Sequence, residues 1–181
     1  MREISLHILD IAENCVNADA KKVIISINQN LNSDKLLITI IDDGNGMAPE
    51  AVAKVYDPFV TSRKTRKVGL GIPFLKAAAE ATNGYLKIES EVDHGTKIST
   101  KFQLSHIDRM PLGDIETTLL SLMVGFPKIN WIFNYQIDQK AFTLDDKSIK
   151  DILGVVQLSE PTVIKFLKKY IHEGIESVTE K

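Results

Sequence analysis

The stretch Asp42-Asp43-Gly44-Asn45-Gly46-Met47 fixes more of the fold than any other, because the backbone must leave a strand, turn hard and enter a helix within it. Lys35-Leu36-Leu37-Ile38-Thr39-Ile40-Ile41 runs into it as a β-branched strand, and Ala48-Pro49-Glu50 carries a helix-start signal after it. Two glycines two apart let the main chain approach a flat ligand closely and leave Asp42 facing whatever docks there. Lys22-Val23-Ile24-Ile25-Ser26-Ile27 is the expected antiparallel partner strand, reached through a polar turn from Asn28 to Asp34.

Upstream, Asp10-Ile11-Ala12-Glu13-Asn14-Cys15-Val16-Asn17-Ala18-Asp19-Ala20 has helical spacing. Ile8, Leu9, Ala12 and Val16 form the expected apolar side, so Asp10 and Asn14, four apart, stack on a second side. A carboxamide oxygen can ligand a hard cation without adding charge, and a carboxylate one turn away can orient a water beside it. An ordinary amphipathic helix with a wet polar face accounts for the same spacing.

Downstream, Tyr56-Asp57-Pro58-Phe59-Val60-Thr61-Ser62-Arg63-Lys64-Thr65-Arg66-Lys67 turns from apolar to strongly basic. Val68-Gly69-Leu70-Gly71-Ile72-Pro73 follows and opens a helix through Phe74, Leu75, Ala78, Ala79 and Ala81. Basic side chains and backbone N–H groups at a helix start are thus adjacent, an arrangement that suits phosphate oxygens. Asn83-Gly84 closes that helix. Tyr85 to Glu91 and Lys97 to Leu104 alternate as strands around the hairpin turn Asp93-His94-Gly95-Thr96, giving a helix-covered sheet of at least four strands.

The order of asparagine-bearing helix, D-x-G-x-G, basic lid, G-x-G and terminal Gly-Thr hairpin resembles the GHKL superfamily of ATP-binding domains. Its members include gyrase, MutL, the ninety-kilodalton heat-shock chaperone and the histidine kinases. Glu13 to Val23 looks most like the MutL form of the first motif, whereas Asp57 to Arg63 and Gly69 to Ile72 look like the second half of a histidine-kinase catalytic domain. The resemblance covers about residues 1–104 and implies an α+β, two-layer α/β sandwich of the Bergerat type that binds ATP or ADP with Mg2+. It implies that Asn14 is the metal ligand, that Asp42 accepts from the adenine amino group, that Gly44 and Gly46 shape the base pocket, and that Met47 packs near the base. Thr61, Arg63 and Lys64 would meet phosphate, Gly69, Leu70, Gly71 and Ile72 would line the phosphate cradle, and Thr96 would support the water network near Asp42. Hydrolytic members carry glutamate where this chain has Asp10, and the lysine that many kinases place after the asparagine motif is missing. The implied function is an Mg-ATP-binding regulatory protein that transfers the γ-phosphoryl group to a protein partner, with Asp10 as the catalytic assistant. A non-catalytic ATP sensor and a slow ATPase of the MutL kind are the alternatives. Met1-Arg2-Glu3-Ile4 opens directly into structure, which leads to the expectation of a kinase-like domain without its own phosphoacceptor.

A net charge of -2 across 181 residues gives no nucleic-acid footprint. No segment approaches the roughly 20 apolar residues that span a bilayer, so a cytoplasmic protein without membrane attachment is expected. Cys15, the single cysteine, reads as a small buried packing residue. Residues 105–181 match no known pattern and are expected to form a small α+β appendage. A helix is predicted over Asp114 to Phe126, a strand through Trp131, Phe133, Tyr135 and Ile137, a return over Ala141 to Leu144, a short helix ending at Gly154 and a longer one from Ser159. An unidentified protein partner, or a second copy in a homodimer, is the expected occupant of this region. His172-Glu173 superficially resembles a phosphoacceptor dipeptide, but Gly174 and Glu176 beside it lead to the expectation of a solvated histidine near a frayed terminus.

Overall fold

The computed structural model describes residues 3–56 and 71–180. Along the chain run α1 (Ile4–Asn17), β1 (Lys22–Asn30), β2 (Lys35–Asp42), α2 (Pro49–Val55), α3 (Gly71–Glu80), β3 (Tyr85–Glu91), β4 (Gly95–Gln103), α4 (Ile115–Gly125), β5 (Asn130–Ile137), β6 (Lys140–Asp145), α5 (Asp146–Leu153) and α6 (Pro161–Thr179). The six strands form one sheet in the order β3-β4-β2-β1-β5-β6. Every neighbouring pair is antiparallel except β1 with β5, which is parallel.

Residue alternation gives this sheet one apolar and one polar face. Ile88, Ile98, Ile40, Ile25, Phe133 and Leu144 stand in register as a single row across all six strands, and every one of them is buried. One residue along, Lys87, Ser99, Thr39, Ser26, Asn134 and Thr143 make a polar row on the other face. Asn134 donates from Nδ2 to Ser26 Oγ at 3.2 Å, and Thr143 donates to Asn134 Oδ1 at 3.0 Å. α1, α3, α4 and α6 cover the apolar face, so the α+β two-layer sandwich is the observed architecture. Among the described residues no helix is long and apolar enough to cross a membrane.

The stretch after residue 104 is more intimately joined than the expected appendage. It supplies β5 and β6 to the same sheet and α4 and α6 to the same helical layer. The Trp131, Phe133 and Tyr135 stripe is core, each at most 4% exposed. This stretch also caps α1, which lacks a side-chain N-cap: the Ile4 and Ser5 N–H groups donate to the Pro111 and Leu112 carbonyls at 3.0 and 2.8 Å.

Local readings shift in three places. The buried side of α1 is Ile4, Ile8, Ile11, Ala12 and Cys15, while Leu9 and Val16 are only half-buried, because α3 and α4 both flank the helix and widen its apolar stripe. β1 continues to Asn30 instead of ending at Ile27, since Asn28 and Gln29 donate to Gln136 Oε1 and Tyr135 OH of β5, each at 2.9 Å. The last helix begins at Pro161 and does not fray: Val178 is buried, and Gly174 is the point where the Phe142 ring packs against the helix backbone.

Candidate functional site

Asp42 ends β2 with its side chain buried, and its Oδ1 accepts the Gly44 N–H at 2.9 Å. The loop after it is pinned from two sides. Asn45 N–H donates to the Ala18 carbonyl at 2.8 Å, Asn45 Nδ2 donates to Asp19 Oδ2 at 3.1 Å, and the Lys21 and Lys22 N–H groups both donate to Asp43 Oδ1 at 2.8 Å. Across the loop, Asp93 N–H donates to the Asn45 carbonyl at 2.8 Å. Gly46 has a φ of +62°, and a Cβ there would collide with the Glu91 carbonyl, so only glycine fits. Thr96 pairs with Asp42 in the β2–β4 register and shares a 2.9 Å hydrogen bond with Ser90 Oγ.

Cys15 lies beside Asp42 from the α1 side. Burial, and next the Asp42 carboxylate, push its thiol well above the ordinary range, so it stays protonated and donates to the Ile11 carbonyl at 3.3 Å. The expected packing role therefore includes contact with the buried carboxylate, which only tertiary structure reveals.

At the middle of α1, Asp10 abuts the start of α3, where a Cβ on Gly71 would collide with the Asp10 carboxylate. Asp10 and Asn14 are both half-buried on α1. Eight residues separate Asp10 from Ala18, about 12 Å of helix. The candidate residues therefore line the second half of α1, with Asp42 and Gly44 by its last turn and Gly71 by its middle. Ile72 and Met47 are half-buried against the core. Thr61, Arg63, Lys64, Gly69 and Leu70 lie outside the described residues.

His172 stands apart from this site. Its Nδ1 is 2.8 Å from Glu116 Oε1 on α4 and its Nε2 3.3 Å from Glu176 Oε1, and the Glu116 contact leads the causes that raise its pKa.

A pinned D-x-G-x-G loop at the end of a sheet strand, set against an asparagine-bearing helix, is the geometry to which the comparisons with known proteins attach. Residues 2–106 match the model of the histidine kinase-, DNA gyrase B- and HSP90-like ATPases. The chain belongs to this family. Sporulation kinase D of Bacillus subtilis is 31% identical over 98 residues, which cover 54% of this chain and 19% of that protein. The CAI-1 autoinducer sensor kinase/phosphatase CqsS of Vibrio cholerae is 33% identical over 98 residues, covering 54% of this chain and 14% of that protein. The chain thus spans a small part of the relatives it matches. A solved N-terminal domain of a DNA repair protein, 12% identical with a TM-score of 0.56, covers 86% of this chain and 58% of that chain, so the shared fold reaches past residue 106. Membership of the family makes this an ATP-binding, histidine-kinase-like domain, as the sequence resemblance implied.

Proposed function

We propose that this chain binds Mg-ATP along α1 and passes the γ-phosphoryl group to an acceptor on another protein. The observation that carries the reading is Asp42: a buried carboxylate at a strand end, with one oxygen held by the Gly44 N–H and a backbone that only glycine permits beside it. Such a group accepts from an exocyclic amino group such as that of adenine. Asn14 would hold the magnesium ion, which supplies charge neutralisation at the phosphates. Gly71 and Ile72, with the basic stretch through Arg63 and Lys64, would hold the phosphates themselves, and Asp10 would order solvent or assist as base. The shorter Asp10 in place of the glutamate of hydrolytic relatives favours transfer over hydrolysis.

One observation favours the sensor reading. The N-terminus of α1 is capped by Pro111 and Leu112, so any shift of α1 on nucleotide binding is felt directly by the chain leading into α4. Incubation with γ-labelled ATP, alone and with cell lysate, separates the possibilities. Transfer predicts label on a lysate protein and little free phosphate; free phosphate as the main product would mean an ATPase, and neither product with nucleotide still bound would mean a sensor.

A further inference from the structure

The two edges of the sheet differ. β3 carries Lys87, Glu89 and Glu91, and its Ile88 N–H donates to Tyr56 OH at 3.1 Å. Charges and a covering side chain are common protections of a sheet edge. β6, at the opposite edge, has neither along its length: Ala141, Phe142, Thr143 and Leu144 follow one another without a charge or a proline. Among the described residues, only β5 hydrogen-bonds the main chain of 140–144.

An aromatic run leads from the core out to this edge. Phe133 of β5 meets Phe142 edge-on with ring centroids 6.4 Å apart, Phe142 meets Tyr170 of α6 at 5.8 Å, and Tyr170 stacks on Phe166 at 6.0 Å. Phe133 is buried, Phe142 half-buried, and Tyr170 and Phe166 are exposed. They lie on the flank of α6 away from α4, because His172, which meets Glu116 of α4, comes two residues after Tyr170 and six after Phe166 and so projects from the other side.

The charges of α6 run against its own dipole. Lys165, Lys168 and Lys169 all lie in its first half, and Glu173 and Glu176 in its second. A lone helix favours the reverse, with glutamate near its N-terminus and lysine near its C-terminus. An antiparallel copy of α6 would set each lysine half against a glutamate half. The change of sign, between Lys169 and Glu173, falls where Phe142 meets the helix at Tyr170 and Gly174.

We infer that a second copy of this chain docks on the β6 edge: β6 pairs antiparallel with β6 of the copy, α6 packs antiparallel on its α6, and the two-fold axis passes by Phe142. Such an axis keeps equivalent faces together, so Phe142 lies opposite its own copy and Ala141 opposite Thr143 of the copy. The two six-stranded sheets become one, with both helical layers on the same side and the exposed aromatics covered. Nucleotide takes no part, so the inference stands apart from the function proposed above.

Sedimentation equilibrium of the full chain without nucleotide tests it, and a monomer–dimer equilibrium is the expected result. Phe166→Ser is expected to weaken the dimer at least about tenfold. Lys165→Glu with Lys169→Glu, and separately Glu173→Lys with Glu176→Lys, are each expected to weaken self-association by about tenfold to a hundredfold, since like charges then meet twice in every dimer. An equimolar mixture of these two double variants is expected to form a mixed dimer at least as tight as that of the wild type. All four charged positions are exposed, and each exchange suits the helix dipole, so both double variants are expected to keep the wild-type thermal melt. A wild type that stays monomeric, a dimer that none of the variants weakens, or a mixture no tighter than its separate components would each overturn the inference.

Discussion

A chain ending at Gln103 is expected to show no cooperative unfolding transition. Removing the rest deletes β5 and turns β1 from an inner strand into an edge. Val23, Ile25 and Ile27, each at most 1% exposed, lose Trp131, Phe133 and Tyr135 as register partners. On the helical layer, α1 loses α4, whose Leu119, Leu122 and Met123 belong to the same core, and the Ile4 and Ser5 N–H groups lose their carbonyl acceptors. Burying a large aliphatic or aromatic side chain contributes about 1.5–3 kcal/mol, so uncovering half a dozen costs as much as a typical net stability of about 5–15 kcal/mol. Thermal melts followed by circular dichroism check this. A sharp transition within a few degrees of the full chain would show that residues 3–103 hold a sufficient core of their own.

Asp42→Asn is expected to weaken ATP and ADP binding alike, by roughly tenfold to a hundredfold, with the fold intact. Removing a charge-assisted hydrogen bond costs about 1.5–3 kcal/mol. The substitution hardly changes side-chain volume, and the amide oxygen can still accept from Gly44, so the loop keeps its anchor. Cys15 loses the neighbouring carboxylate that helps hold its thiol protonated, but burial, the larger cause, remains. The loss is expected to fall equally on both nucleotides because the base would lie by the last turn of α1, away from Gly71 at its middle. Isothermal titration with each nucleotide checks it, and a loss confined to ATP would place Asp42 at the phosphates instead.

Much of this was legible because local patterns carry it. The β-branched run from Lys35 to Ile41 and the alternation in Tyr85 to Glu91 read as strands, and Asn83 and Gly95 take the positive φ their turns need. Neighbour relations were not legible: Trp131, Phe133 and Tyr135 announce a strand, but nothing in them says that it lies parallel to β1. The polar end of β1 reads as a turn because Asn28 and Gln29 earn their place in the strand only through partners more than a hundred residues away. In the site, Asp42, Gly44, Gly46 and Asn14 stood out through spacing. The placement of Cys15 beside Asp42 did not, since the two come together only after α1 packs on β2.

Adenine recognition at Asp42 is the central claim, and titration of the wild-type chain with Mg-ATP and Mg-GTP tests it most directly. Adenine presents an amino donor where guanine presents a carbonyl acceptor, and an acceptor facing a buried carboxylate is repelled. The account predicts saturable ATP binding at one site and GTP binding at least about tenfold weaker. Equal affinity for the two nucleotides, or no binding of ATP, would contradict it.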